Sequence, residues 1–364
     1  MQGYTSTLWA AKLLSCTVLV SLTACATANE RSAERPPALA STETAAIGDR
    51  QQLTPASAVT DPLPSWSDDT TKRTILQFVI DTTYPRSVWY VPSPDRIAVF
   101  DDDGTLWVEK PVSVQALFLA DEMKQLLPAH PEWMSKRSFA TILTGDYASL
   151  ARLAERDLLD LFSTTNAGVT TDEFDTYVRD WATTATHPIL KRRYTELAYQ
   201  PMLELLGYLA KNAFKTFICT AGDVDFVRAF SNELYGVSPD RVIGNSHRYR
   251  LEKTAAGAVL ARWPKAGAAD ARAGKLENIQ AHIGRKPIIA VGNSDGDLQV
   301  LQSIDAGLQP SLALLVHHDD PAREFDYDRE SKIGHLDEAL DEALWHGWRI
   351  VSMKGDFRTV FPAR

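Results

Sequence analysis

Cysteine is scarce in this sequence: the 364 residues hold three, Cys16, Cys25 and Cys219. Two lie in an amino-terminal segment that reads as removable, so the folded body keeps one and no internal disulfide is expected there. Apolar runs long enough to cross a bilayer are missing too. The stretch from Leu13 to Leu22 falls short of the roughly 20 residues a spanning helix needs. Positive charge is not in surplus, with 38 Lys and Arg against 47 Asp and Glu for a formal charge of −9. That balance excludes a generally basic surface for nucleic acid, although a small phosphorylated substrate needs only local positive charge. There is no G-x-x-x-x-G-K-[ST] loop, which excludes a P-loop nucleotide enzyme. No repeat is evident, and no run of like charge forms a binding tail. Hydrophobic residues at 45% and charged residues at 23% describe an ordinary globular chain with material for a sizeable core. Its length suits one large domain with an insertion, or two domains.

The amino terminus reads as an address. Residues 1–25 carry one charged side chain, Lys12, followed by Leu13, Leu14, Val18, Leu19, Val20 and Leu22, the length of a signal-peptide core. The run ends in Leu22-Thr23-Ala24-Cys25, which resembles a bacterial lipobox. There the Cys25 thiol would form a thioether to diacylglycerol and become the first residue. Simple cleavage after Ala26-Thr27-Ala28, of A-x-A form, is the alternative, and an uncleaved anchor a third. Residues 26–65, rich in Ala, Thr, Ser and Pro, bury too little to offset ordering entropy and read as a flexible tether. The expected product is a periplasmic lipoprotein held to a membrane through its lipid alone. Ala26 after Cys25 leans towards the outer membrane.

The body begins near Trp66, with a helix expected over 69–81. Arg96-Ile97-Ala98-Val99-Phe100 then forms a short apolar run suited to a buried strand. It stops at Asp101-Asp102-Asp103-Gly104-Thr105-Leu106. Three carboxylates at the carboxyl end of a buried strand are costly unless a cation sits among them, and that end is where α/β sheets place ligands. A second apolar strand ends in Thr220-Ala221-Gly222. Lys275 follows Gly274 at the start of a helix expected over 275–283. A third apolar run, Ile288–Val291, leads into Gly292-Asn293-Ser294-Asp295-Gly296-Asp297.

In this order, over roughly residues 96–300, the four motifs resemble those of the haloacid dehalogenase superfamily, and within it the phosphoserine-phosphatase-like branch. The resemblance implies an α/β doubly wound, Rossmann-like parallel sheet with an inserted helical cap. It also implies an Mg²⁺-dependent phosphatase acting on a small phosphomonoester. Asp101 would attack phosphorus and become an aspartyl-phosphate. Asp103, two residues along an extended chain and so on the same side, would protonate the leaving oxygen and later take the proton of water. Thr220, with Ala221 and Gly222, would bind the phosphoryl group, and Lys275 would neutralise it together with Asp101. Mg²⁺ would join Asp101, the backbone carbonyl of Asp103 and the fourth motif. That motif departs from the family pattern, because Asn293 stands where an aspartate is usual; Asn293, with Asp297 as a ligand or just behind one, is the preferred reading and Asp295 the alternative ligand.

Blander readings accompany each residue. Thr220 could cap a helix over Asp223, Lys275 could be a solvated first-turn lysine, and Asp102 should point away from its neighbours as a helper or a solvated residue. Cys219 reads as core filler. His317-His318-Asp319-Asp320 looks like a metal cluster, but neighbours on a strand face opposite ways, so a strand-end loop beside the site is preferred. Asp223, Glu109 and Arg323 stand near the expected site without a role.

About 110 residues separate the first two motifs, far more than a crossover needs. Helices are expected over 113–127, 132–141, 147–163, 171–185 and 188–198. The resulting division is residues 66–110 and 199–364 as core and 111–198 as helical cap, in which Trp107, Trp133 and Trp181 line a pocket or pack the cap, packing being preferred. A helix over 335–346 and a strand over 348–351 complete the chain. The rival functions are a phosphotransferase or dehalogenase of the same superfamily, and a non-catalytic metal- or phosphate-binding lipoprotein. Asp103 speaks against dehalogenation, since a leaving halide needs no proton, and Asn293 is the feature that favours a binding protein.

Overall fold

The computed structural model describes residues 60–363 apart from 145, 154, 256 and 267–272. The signal segment 1–25 with Cys25, and the tether as far as residue 59, lie outside the described residues. The described chain belongs to the compact unit Val59–Arg364. Residues 60–65, expected at the end of the tether, already belong to the body. Leu63 is fully buried, and the Ser65 amide donates to Glu204 Oε2 at 2.8 Å.

The elements in chain order are α1 (Thr70–Thr83), β1 (Ile97–Phe100), α2 (Val114–Leu126), α3 (Arg137–Thr144), α4 (Tyr147–Leu150), α5 (Glu155–Thr165), α6 (Thr171–Thr184) and α7 (Gln200–Lys211). There follow β2 (Lys215–Asp223), α8 (Val224–Tyr235), β3 (Val242–Asn245), β4 (His247–Thr254), β5 (Gly257–Ala266), α9 (Ala273–Ile283), β6 (Ile289–Gly292) and α10 (Leu298–Asp305). The chain closes with β7 (Leu312–Asp319), β8 (Asp326–Tyr327), α11 (Glu338–His346), β9 (Arg349–Ser352) and α12 (Met353–Asp356). Local chemistry accounts for several boundaries. Asp69 caps α1 by accepting from the Lys72 amide, Thr170 and Glu173 form a reciprocal capping box on α6, and Gly236 ends α8 in the left-handed region.

The main sheet has seven strands in the order β3-β2-β1-β6-β7-β8, with β9 also paired to β7. All of its pairings are parallel except that of the two-residue β8. The strands β1, β6 and β3 are buried at every residue, which is why each reads as an unbroken apolar run. Successive strands run outward from β1 through β2 to β3 on one side, and from β6 through β7 to β9 on the other. The switch point therefore falls between β1 and β6, and their carboxyl ends open the crevice where such folds bind ligands. Among the described residues no helix is long and apolar enough to cross a membrane.

Two expectations about the peripheral elements change. Residues 188–198 form no α-helix. Lys191 turns through positive φ, the His187 ring accepts the amides of Ile189 and Leu190, and only a single 3₁₀ turn follows at Tyr194–Glu196. The hairpin β4–β5, unforeseen in the sequence, stands apart from the main sheet. It pairs instead with the inserted helical segment, through a bridge between Thr170 and Ala261 and through amides of Gly168 and Arg262. The insertion is thus backed by a piece of chain from beyond the second motif. The expected helix over 147–163 is also broken, into α4 and α5.

Candidate active site

Four strand ends and one helix build the site. Asp101 follows β1 directly, its amide bonded to the Val291 carbonyl on β6, so the sheet itself places this carboxylate. Lys275 is the third residue of α9, 2% exposed, and its Nζ stands 2.7 Å from Asp101 Oδ1 and 2.7 Å from Asp297 Oδ1. Burial works against the lysine charge, but Asp101 and Asp297 outweigh it and hold the ammonium well above its ordinary range. The solvated first-turn reading of Lys275 is excluded.

The loop after β1 reverses over Gly104, which has φ +74°. A Cβ there would fall inside contact distance of Asn293 Nδ2 and Glu109 Oε1, so the close approach requires glycine. Asp103 Oδ1 accepts from Trp107 Nε1 at 2.7 Å. Burial, then the charges of Asp102 and Glu109, push the Asp103 carboxyl well above the carboxylate range. Burial and Asp297 push Asp101 the same way against Lys275. Asp102 is buried rather than solvated, and its carboxyl too is raised by desolvation.

Thr220 lies at the end of β2, 2% exposed, with Oγ1 accepting the Gly222 amide at 3.0 Å. Its hydroxyl hydrogen is therefore available to an anion. The capping of α8 belongs to Asp223, whose Oδ1 accepts the amides of Asp225 and Phe226. Asp101, Asp103, Thr220, Ala221, Gly222 and Lys275 all line one cavity of about 430 Å³.

The fourth motif separates into three jobs. Asn293 donates to Glu109 Oε1 at 2.7 Å and accepts from Thr105 Oγ1 at 3.1 Å, so its amide is locked against the loop after β1. Asp297 has both oxygens engaged: Oδ1 by Lys275, Oδ2 by the amides of Asn293 and Ser294. Asp297 thus orients Lys275, the supporting place that was one of its two expected roles. Asp295 accepts the amides of Asp337, Glu338 and Ala339 and so caps α11. Among the described residues no three or more His, Cys, Asp or Glu side chains converge as a metal cage. The donors that remain are the Asp101 carboxylate, the Asp103 carbonyl and Asn293 Oδ1. A hard cation that keeps several waters suits such a sparse oxygen set. The crowd of buried carboxyls, each raised above its ordinary range, is the electrostatic situation a divalent cation relieves.

Several residues noted in the sequence without an assigned role support the loop after β1. Glu109 accepts from Asn293 and, at 2.8 Å, from Tyr327. His318 donates or accepts at Glu324 and holds the Gly104 carbonyl at 2.8 Å, while His317 turns away to Asp328. Strand alternation thus splits the His pair as expected, and one half supports the catalytic loop. Trp107 is fully buried and orients Asp103; Trp133 and Trp181 pack in the insertion, and none of the three lines the cavity. Arg323 binds Asp320 and the carbonyls of Phe357 and Met353, away from the cavity. Cys219 is buried in the core.

A mostly parallel α/β sheet with an aspartate-rich loop at its switch point and a buried lysine facing it defines a hydrolase fold of the superfamily the motifs resemble. The chain belongs to the haloacid dehalogenase-like hydrolase family, whose model matches residues 98–302. Among solved structures it is similar to a conserved protein of unknown function from Anaerococcus prevotii, at 15% identity and TM-score 0.49, covering 79% of this chain and 94% of that one. A protein of unknown function from Bordetella pertussis is 14% identical with TM-score 0.45, over 70% and 97% of the two chains. A phosphoserine phosphohydrolase-like protein from Francisella tularensis is 14% identical with TM-score 0.36, over 61% and 87%. No curated protein matches the chain.

Proposed function

We propose that the protein is a Mg²⁺-dependent phosphatase that hydrolyses a small phosphomonoester through an aspartyl-phosphate on Asp101. The observation that carries this reading is the Asp101–Lys275 contact at 2.7 Å on the floor of a cavity that Asp103 and Thr220 also line. Asp101 Oδ1 is held by Lys275, which leaves Oδ2 to form the bond to phosphorus as the ester oxygen leaves. Asp103, with Oδ1 fixed by Trp107, keeps the proton at its other oxygen and delivers it to the leaving alkoxide. In the second half, Asp103 takes a proton from water as that water attacks phosphorus, and Asp101 is restored. The Thr220 hydroxyl, the Ala221 amide and the Lys275 ammonium neutralise the phosphoryl oxygens. A cation held by Asp101, the Asp103 carbonyl and Asn293 would supply further charge neutralisation on the same oxygens.

The assay is release of phosphate from a panel of phosphomonoesters, with and without Mg²⁺, beside Asp101→Asn. Metal-dependent turnover lowered roughly a thousandfold or more by the substitution supports the reading. Turnover that survives it refutes the nucleophile. A folded protein that binds Mg²⁺ without any turnover would favour the binding-protein alternative, for which the neutral Asn293 speaks.

We also propose export and lipidation at Cys25, on the apolar run before Leu22-Thr23-Ala24-Cys25 and the low-complexity stretch after it. Incorporation of labelled palmitate that Cys25→Ala abolishes is the expected result; unlabelled, soluble protein in the periplasm would point to cleavage after Ala28.

A further inference from the structure

We infer that the alcohol released from the phosphate is apolar: the substrate is the phosphomonoester of an aliphatic or aromatic alcohol rather than of a sugar, polyol or nucleoside. The inference rests on the phosphatase reading for its chemistry and on the upper wall of the cavity for its content. That wall is made by Leu119 from α2, by Leu153 in the turn after α4, and by Leu158, Leu159 and Phe162 from α5. The groups that serve the phosphoryl group come instead from the ends of β1 and β2 and from α9.

What polarity remains near the wall is largely committed already. Gln115 Oε1 accepts the Asp223 amide at 2.8 Å, and Glu109 Oε1 is shared by Asn293 and Tyr327. Gln115 Nε2, Ser113 and the exposed Lys332 are the polar groups left towards the opening. A leaving group rich in hydroxyls would press them against leucines without partners, and buried polar groups without partners are disfavoured. A hydrocarbon gains from the same wall in proportion to the area it buries. At about 30 Å³ per water-sized group, 430 Å³ holds roughly fourteen non-hydrogen atoms, five of them the phosphoryl group with its ester oxygen. The part of the alcohol inside the cavity is therefore small, about nine non-hydrogen atoms.

The test is kcat/KM for methyl, butyl and hexyl phosphate beside glycerol 3-phosphate, on the full-length protein with Mg²⁺. The expected result is a rise of about fourfold per methylene until the wall is covered, with butyl phosphate well ahead of glycerol 3-phosphate. Leu159 is half-buried and lies outside the core. Leu159→Gln should flatten the chain-length dependence, and a slope equal to that of the unaltered protein would overturn the role given to this wall. A flat series, or preference for glycerol 3-phosphate, overturns the apolar leaving group and leaves the phosphatase reading standing. If no ester turns over, methyl- and hexylphosphonate titrated into Asp101→Asn protein decide. Affinity that climbs with chain length keeps the apolar site while the phosphatase reading falls, and equal affinities overturn the apolar site.

Discussion

Arg262→Met should destabilise the protein by about 4 kcal/mol at neutral pH, because it strands a buried charge. Arg262 is 1% exposed; its Nη2 stands 2.6 Å from Asp223 Oδ2 and its Nη1 2.7 Å from Asp225 Oδ2. The guanidinium also lies 4.0 Å over the ring of Phe174. Burial pushes the Asp223 carboxyl up, but the Arg262 charge and His247 outweigh it and hold the group down at about 2. Against the ordinary 3.8, that depression corresponds to roughly 2 kcal/mol of net stability at pH 7. Removing the arginine forfeits this and exposes the desolvation penalty it was offsetting, which takes the loss into the range of about 3–5 kcal/mol for a broken buried pair. The sign with pH follows. In the native protein the depressed group contributes stability above pH 3.8 that is lost as pH falls towards 2. In the variant the native carboxyl rises above 3.8, so the penalty is full at pH 7.5 and shrinks towards pH 4, where Asp223 takes up a proton. Urea denaturation at the two pH values measures this, and Asp223→Asn in the Arg262→Met background should recover part of the loss. A penalty under about 1 kcal/mol at pH 7.5, or one equal at both pH values, would refute the reasoning.

Glu122→Gln should remove a different pH dependence. Burial pushes this carboxyl to about 7, against the amide of Asn166 and the charge of Arg262. The native group keeps its proton while the unfolded chain ionises, so wild-type stability falls by up to about 3 kcal/mol between pH 4.5 and 7. The variant should lack that slope, and identical slopes would contradict the assignment. Asp295→Ala should cost about 2 kcal/mol by uncapping α11 and leave Mg²⁺ affinity in calorimetric titration unchanged; a tenfold weaker affinity would restore Asp295 as a ligand. Gly104→Ala, at φ +74° and against Asn293 and Glu109, should lose more than about 2 kcal/mol in denaturation together with nearly all turnover. An active, stable alanine variant would show that the loop can open there.

The catalytic floor was legible in advance because its parts are local. An apolar run ending in Asp101-Asp102-Asp103-Gly104 names both a buried strand and the acids at its end, and the run before Thr220 does the same. Side-chain alternation over two residues is enough to pair Asp101 with Asp103 and to part His317 from His318, but which histidine meets the loop after β1 was decided by the fold. The jobs of Asn293, Asp295 and Asp297 were not legible. All three are oxygen-bearing side chains within five residues, and only the partners brought to them decide which caps a helix, which aims a lysine and which faces the loop.

The hairpin β4–β5 was missed for a related reason. Its exposed strand β4 carries little apolar periodicity, and its partner is the insertion some 90 residues earlier. Once folded, it delivers His247 and Arg262 to Asp223, and Arg262 to the rings of Phe162 and Phe174 behind the cavity. The sequence by itself determined the sheet, the order of the motifs and the aspartate at the end of β1, since each depends on the pattern of a few neighbouring residues. Only the tertiary structure decided which carboxylates face one another, which charge offsets which, and what kind of wall the substrate meets. Those depend on distances between residues far apart in the chain, which no local pattern encodes.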